Sequence, residues 1–229
     1  MHLLALPLLF LSLLYAPTFW VRWVLRRHGE PLPGCRWTGG ELAEHLLVRQ
    51  GIDGVTVRVT DAADHYDPEH RAVALTAGHF HGRSLTALTV AAHEVGHAVQ
   101  HAEGDAAHAL RGRLVARAIS LRKLLPWVVG GLAVLALVVR IPAFFLLVGV
   151  LFALSVAMRT LVHLVTLPVE WDASFRKALP MLEETGVLHP KDLPAARSIL
   201  TAAALTYVAS SLSSVLDLSW WLRRGVLRV

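Results

Sequence analysis

The chain contains four long apolar runs, of which the middle two are separated only at Arg140 and Pro142. The four runs comprise residues 1–24, 124–139, 141–167 and 195–222. A run of about 20 apolar residues is long enough to cross the hydrocarbon core of a bilayer as a helix. The pattern therefore predicts three to four transmembrane helices. The fourth run is ambiguous, because Arg223 and Arg224 at its end favour the cytoplasmic side.

The polar stretch between the first two apolar runs predicts a small α+β domain. Thr38 and Glu41 match a capping box at the start of an amphipathic helix that ends at Gly51. Residues 55–60 alternate between apolar and polar, and residues 71–76 are a second β-rich run, so we expect a small sheet. The second strand is expected at an edge, where an extended peptide could pair with it.

Arginines flank the apolar runs and predict an orientation. Arg26 and Arg27 follow the first run, and residues 106–123 are Arg-rich just before the second. Positive side chains accumulate on the cytoplasmic side. We therefore expect a multi-pass protein of the cytoplasmic membrane, in contact with the lipid bilayer, with residues 28–120 in the cytoplasm and the turn at Arg140 outside. A cleaved signal peptide is not expected, since its charges would precede the apolar core.

Composition agrees with a membrane protein. The 229 residues are 55% hydrophobic and 17% charged, with a mean hydropathy of +0.51. The formal net charge is +5, but no basic run is interleaved with aromatic residues, so nucleic acid is not an expected partner. Cys35 is the only cysteine in the sequence, which excludes an intrachain disulfide.

A helical segment at residues 84–103 carries a His-Glu-x-x-His motif. Four residues make slightly more than one turn, so His93 and His97 project from one face and can share a metal ion. Glu94 lies around the helix from them, where it can act as a general base on a water molecule. Zinc held by three protein ligands keeps a fourth position for water and lowers the pKa of that water to about 7. The motif is typical of a zinc peptidase.

The third ligand is not expected on the same helix. His101 continues the row, but it lies about 12 Å from His93 along the axis, and Zn–N bonds are only about 2.0–2.1 Å long. Metzincin peptidases have a Gly three residues after the second His and a ligand three residues later. Here Gln100 and Glu103 hold these positions. Without the Gly, Glu103 is a poor ligand.

Five segments form a specific combination of motifs. They are Asp-His-Tyr-Asp-Pro at 64–68, Gly-Arg-Ser at 82–84, Ala-Ala-His-Glu-Val-Gly-His-Ala at 91–98, Leu-Pro-Val-Glu at 167–170 and Ala-Ala-Ala-Leu-Thr-Tyr-Val at 202–208. Together they resemble the YugP-like neutral zinc metallopeptidases of bacteria, over most of the chain from about Trp37 to Trp221. The resemblance implies a membrane-embedded, zinc-dependent endopeptidase. One departure is Asp172, where Asn would be expected in that family.

Glu170 is the expected third zinc ligand. It lies between apolar side chains at the inner end of a predicted span, where an unpaired carboxylate is costly. The arrangement also resembles membrane gluzincins, in which the ligand Glu follows a transmembrane hairpin. Asp172 and Glu103 stay open as alternative ligands. A structural role for Glu170, paired with Arg159 or Arg176, also stays open.

Other polar residues are candidates for supporting roles. His65 and Tyr207 could donate hydrogen bonds to the oxyanion of the tetrahedral intermediate, as could Tyr66. Asp217 could orient a zinc-bound histidine. Each of these side chains could equally be a satisfied structural group.

The predicted fold class is an α-helical membrane protein with a small α+β, zincin-like cytoplasmic domain and three to four transmembrane helices. The predicted units are an N-terminal transmembrane helix (1–25), the zincin-like domain with the motif helix (26–123), a transmembrane hairpin (124–167), the third-ligand segment with a polar helix (168–194) and a C-terminal membrane helix (195–229).

The predicted function is a membrane-bound zinc endopeptidase that hydrolyses peptide or protein substrates with a zinc-activated water and Glu94 as general base. One alternative is a divalent-metal transporter, but transporters place their ligands at mid-membrane on discontinuous helices, whereas His93 and His97 lie in a polar stretch. Another is a non-catalytic zinc-binding membrane protein, although structural zinc sites are usually closed by four protein ligands.

Overall fold

The motif helix lies in the middle of the fold and contacts most other elements. The computed structural model describes residues 2–139, 146–147, 149–151, 153–154, 157 and 166–215. Its elements are α1 (His2–Arg27), α2 (Gly39–Arg49), β1 (Thr56–Thr60), β2 (His65–Asp67), β3 (Ala72–Thr76), α3 (Ala77–Phe80), α4 (Leu85–Ala102), α5 (Ala106–Val139), a π-helix (Asp172–Ala178), α6 (Leu179–Thr185), a 3₁₀ turn (Pro190–Asp192) and α7 (Leu193–Val215).

Local capping fixes the starts of α2 and α4. At α2 the predicted capping box is confirmed: the Glu41 amide donates to the Thr38 hydroxyl at 3.2 Å, and the Thr38 amide donates to the Glu41 carboxylate at 2.8 Å. At α4 the Ser84 hydroxyl accepts from the Ala87 amide at 3.1 Å. This hydrogen bond therefore stabilises the first turn of the motif helix, two turns before the first motif histidine.

The sheet contains both predicted strands and one that the sequence did not reveal. Its order is β1-β3-β2, with β1 parallel and β2 antiparallel to β3. The prediction that the second strand lies at an edge is wrong, because β3 is hydrogen-bonded on both sides. The missed strand β2 has only three residues, too few for alternation to show.

The core lies between α4 and the elements around it. The largest fully buried apolar side chains come from α1, α2, β3, α4, α6 and α7: Leu42, Leu46, Leu75, Leu88, Leu182, Ile199, Leu200, Val24, Val73 and Val95. The motif helix thus has an apolar side against this core and a polar stripe toward residues 166–178.

No helix in the described part of the chain is both long enough and apolar enough to cross a membrane. The predicted fold class, with three to four transmembrane helices, is therefore wrong, and so is the predicted multi-pass location in the cytoplasmic membrane with a cytoplasmic active site. The predicted contact with the lipid bilayer is therefore not supported. The turn predicted at Arg140 lies outside the described residues.

The error has a physical reason: hydropathy does not distinguish side chains buried in lipid from side chains buried in protein. Val24 at the end of the first apolar run, and Ile199 and Leu200 in the fourth, are 0–1% exposed within the protein core. The Arg-rich residues 106–123, interpreted as anchors before a span, belong to one continuous helix, α5. The division of the chain into five units stays a prediction.

Gly96 allows the π-helix to approach α4 closely. A Cβ atom added at Gly96 would lie 2.6 Å from the carbonyl oxygen of Ala173. This distance is shorter than real Cβ contacts, so any larger residue would push the two helices apart. The glycine inside the motif is therefore required by packing in this protein.

Gly96→Ala is expected to lower the free energy of unfolding by about 1–3 kcal/mol, as overpacking of a core does. The matched control is Gly112→Ala in α5, where an added Cβ meets nothing within 4 Å. That change should raise stability by up to about 1 kcal/mol, because Ala is the better helix former. Denaturant unfolding measures both, and equal midpoints for wild type and Gly96→Ala would contradict the steric argument.

Candidate metal centre

His93 and His97 present their rings side by side on one face of α4. Their ring centroids lie 4.8 Å apart, and both residues are almost completely buried. The spacing of four residues places them one turn apart, as predicted. Two imidazoles at this separation can act on one ion.

The Glu170 carboxylate meets both rings from the other side. Its Oε2 atom lies 3.2 Å from Nε2 of His93 and 3.3 Å from Nε2 of His97. Potential ligand atoms of the three residues all lie within 4.8 Å of one another. Glu170 is supplied by a helical segment, residues 166–171, that runs directly into the π-helix.

Two further side chains orient the histidines. The Ser174 hydroxyl donates to the Leu200 carbonyl at 3.3 Å, so its 3.1 Å contact with Nδ1 of His93 is one in which Nδ1–H donates. The ring is thereby held with its Nε2 atom toward Glu170. A hydrogen-bonded Nδ1–H is the usual second partner of a metal-binding histidine.

Gln100 orients the ring of His97. Its amide nitrogen donates to the Val169 carbonyl and to Oδ2 of Asp172, each at 2.9 Å. Its amide oxygen therefore faces Nδ1 of His97, at 2.9 Å, and accepts from it. Both histidines thus present Nε2 to the same point.

The residues present fit a zinc ion. Glu170 is fully buried, yet neither of its oxygens accepts a hydrogen bond of normal geometry from the described part of the chain. A buried carboxylate without such partners is costly, and a cation between Oε2 and the two Nε2 atoms removes that cost. Two imidazoles and one carboxylate are the protein ligands of a typical catalytic zinc site, which leaves a further coordination position open.

The charges around the carboxylate keep it anionic. Burial raises the pKa of Glu170, but the His97 charge, the contacts with His93 and the Arg111 guanidinium outweigh burial and hold the pKa well below its usual range. Nη2 of Arg111 lies 2.8 Å from Oε1. Burial lowers the pKa of His93, but Glu170 and Glu94 raise it by more. The Glu170 carboxylate therefore keeps its negative charge, which attracts a metal cation.

The alternative ligands lie elsewhere. Asp172 accepts from Gln100 and lies 3.9 Å from Arg176. Glu103 is an exposed residue that pairs with Lys177 at 2.6 Å, at the C-terminal end of α4. The cation beside Glu170 is Arg111, which belongs to the Arg-rich stretch predicted to flank a span. Arg159 lies outside the described residues.

The predicted catalytic residues occupy different environments. Glu94 is 7% exposed and lies on α4 between the two histidines in sequence. His65 is exposed at the start of β2, with Nδ1 2.8 Å from the Ala63 carbonyl oxygen. Tyr207 belongs to α7, but its side chain, like Asp217, lies outside the described part. The roles of all three side chains stay predictions.

A second layer of rings lies beside His97 and was not predicted. The Tyr66 hydroxyl lies 2.8 Å from Nδ1 of His101. His108, from the first turn of α5, stacks on His101 with centroids 6.1 Å apart and lies 5.8 Å from His97. Burial, and then the charges of His97 and Arg111, lower the pKa of His108 to about 4. The turn at Gly104 breaks the helical register, so no sequence periodicity connects His108 with the motif.

Comparison with known proteins points to the same chemistry. Residues 1–225 match the model of a family described as "putative neutral zinc metallopeptidase". The chain is 35% identical over 192 residues to a Bacillus subtilis (strain 168) protein described as "Putative membrane protease YugP", covering 79% of this chain and 77% of that protein. No solved structure gives a significant match.

Arg111→Met is expected to lower the free energy of unfolding of the zinc-free protein by about 3 kcal/mol. This is the lower end of the cost of removing one partner of a buried ion pair, because the two histidines remain beside Glu170. Denaturant unfolding in the presence of a chelator measures the change. The control is the exposed Arg113→Met, two residues along α5, which should change stability by no more than about 0.5 kcal/mol. Equal losses of unfolding free energy in the two variants would show that Arg111 does not stabilise the buried Glu170 carboxylate.

Proposed function

The chain belongs to the neutral zinc metallopeptidase family, and from this premise we propose that it hydrolyses internal peptide bonds with a zinc ion held by His93, His97 and Glu170. The observation that carries the proposal is the convergence of two Nε2 atoms on one buried carboxylate oxygen. Ser174 and Gln100 fix the ring orientations that produce it. A cluster that served only as an ion pair would not need both rings oriented in this way.

Zinc, when bound at such a site, supplies Lewis-acid chemistry: it activates a water molecule and polarises the carbonyl of the scissile bond. The protein residues would hold the ion, exclude water and transfer the proton. The three ligands are all buried, so the reaction would occur where few competing water molecules reach and where electrostatic interactions are strong.

Glu94 is proposed as the general base. Its position immediately after His93 places it on a neighbouring face of α4, so it can reach the same site without being a ligand. Its carboxylate would accept a proton from the attacking water and deliver it to the nitrogen of the leaving amine. His65 and Tyr207 stay proposals as oxyanion donors.

A non-catalytic zinc protein is the competing function. Such a site is usually closed by four protein ligands, whereas three converge among the described residues here. The presence of a carboxylate at Glu94, which no ligand role requires, also favours catalysis.

The purified protein is expected to bind about one zinc ion per chain, as one three-ligand site does. His93→Ala and His97→Ala should each lower zinc content strongly, measured by elemental analysis after gel filtration. The exposed His81→Ala is the control and should keep wild-type zinc content. Wild-type zinc in both motif variants would eliminate the site.

Glu94→Gln separates catalysis from binding. Gln keeps the size of Glu but cannot accept the proton, so zinc should stay bound while casein hydrolysis falls by about 10²–10⁴-fold, the usual contribution of general acid–base catalysis. Full activity in this variant would reject Glu94 as the base.

Glu170→Gln replaces an anionic ligand with a neutral amide, so zinc should bind more weakly and excess zinc should restore part of the activity. Asp172→Asn keeps an oxygen that can accept from Gln100, and it should change neither zinc affinity nor activity. Zinc titration of the two variants compares them directly. Wild-type affinity in Glu170→Gln would exclude Glu170 as a ligand.

A further inference from the structure

The first two turns of α5 form one wall of the metal centre. Asp105 caps this helix: its carboxylate accepts from the His108 amide at 2.8 Å, and its carbonyl accepts from the Ala109 amide at 3.0 Å. His108 and Arg111 are three residues apart and so lie on the same face of the helix. Arg111 contacts Glu170, which shows that this face is turned toward the site.

His108 is buried without a complete set of hydrogen bonds. It is 8% exposed, and within the described part of the chain its Nδ1 atom is buried and has no hydrogen-bond partner. Its ring packs against His97, His101 and Tyr66, with centroids 5.8, 6.1 and 6.5 Å away. The neighbouring His101 differs, since the Tyr66 hydroxyl lies 2.8 Å from its Nδ1.

An unsatisfied buried polar atom costs about 1–3 kcal/mol. Such atoms are rare in folded proteins, and a catalytic role is one of the reasons for which they persist. The charged groups next to His108 include the Arg111 guanidinium and the Asp105 carboxylate, and the net effect of its surroundings lowers its pKa. The neutral ring can then donate to an oxygen acceptor. The partner that suits this atom is a carbonyl oxygen on which negative charge develops.

We propose that His108 is a catalytic residue whose Nδ1–H donates a hydrogen bond to the carbonyl oxygen of the scissile peptide bond. The inference rests on the proposed peptidase function. In the reaction the water oxygen bonds to the carbonyl carbon, the C–N bond breaks, and the proton passes through Glu94 to the amine. His108 gains and loses no proton; it stabilises the oxyanion between these two events. An oxyanion donor is most effective where water is excluded, which describes buried His108 better than exposed His65.

Three substitutions at position 108 test the donor atom itself. His108→Phe keeps a planar ring but removes the donor, and kcat/KM for casein-derived peptides should fall by about 10²–10³-fold, as when an oxyanion donor is lost. His108→Asn places an amide nitrogen where Nδ1 lies and should keep most of the activity. His108→Gln places its nitrogen near the Nε2 position instead and should resemble Phe. Zinc content should equal that of wild type in all three.

Thermal stability provides a readout that does not depend on turnover. His108→Phe should unfold at the wild-type temperature or above it, because it removes an unsatisfied atom. The matched control, His101→Phe, should unfold at a lower temperature, because the Tyr66 hydroxyl loses its partner. A clear loss of stability in His108→Phe would show that Nδ1 has a structural partner, and it would overturn the proposal.

Binding of a phosphinic peptide, which mimics the tetrahedral intermediate, separates this inference from the proposed function. Calorimetry on zinc-loaded protein should show weaker binding to His108→Phe and near-normal binding to His108→Asn. If the wild-type protein is an active peptidase and His108→Phe keeps wild-type activity or wild-type binding, the role of His108 alone would be overturned. A wild-type protein that neither cleaves casein nor binds the phosphinic peptide would overturn both.

Discussion

The rest of the site is arranged around one constraint, the free-energy cost of burying the Glu170 carboxylate. A charged group with 0% exposure is tolerated only if cations or donors surround it. Those partners come from two helices far away in sequence, with the two motif histidines on α4 and Arg111 on α5. The same electrostatic need that a metal ion satisfies therefore also brings three separate segments of the chain together.

Close helix packing makes this arrangement possible. The π-helix that follows Glu170 approaches α4 at Gly96, where the Ala173 carbonyl occupies the space of a side chain. π-Helical turns inside α-helices are rare and occur often at functional sites. Here the π-helix carries Ser174, which contacts His93, and Lys177, which pairs with Glu103 at the end of α4. The backbone irregularity and the orientation of a ligand are thus parts of one structure.

The sequence predicted the features that depend on local spacing. The motif helix, the α2 capping box and two strands are local, and each was found. An isolated carboxylate in apolar surroundings needs a partner, and this argument points to Glu170 whether the surroundings are lipid or protein. The same ambiguity produced the error about transmembrane helices. The roles of Ser174, Gln100 and Arg111 depend on contacts between distant segments, so neither periodicity nor composition could reveal them.

The arrangement also explains why residues of one helix have such different roles. On α4, His93 and His97 face the carboxylate, Gln100 holds the second ring, and Gly96 admits the neighbouring backbone, all within two turns. His93, His97 and Gln100 lie within about 60° of one another around the helix axis, and Glu94 lies about 60–100° from the two histidines. Glu94 has the one remaining acidic side chain in the motif, and its angle keeps it out of the ligand set. The motif helix thus carries the proposed ligands, the residue that orients one of them and the proposed general base on a single element.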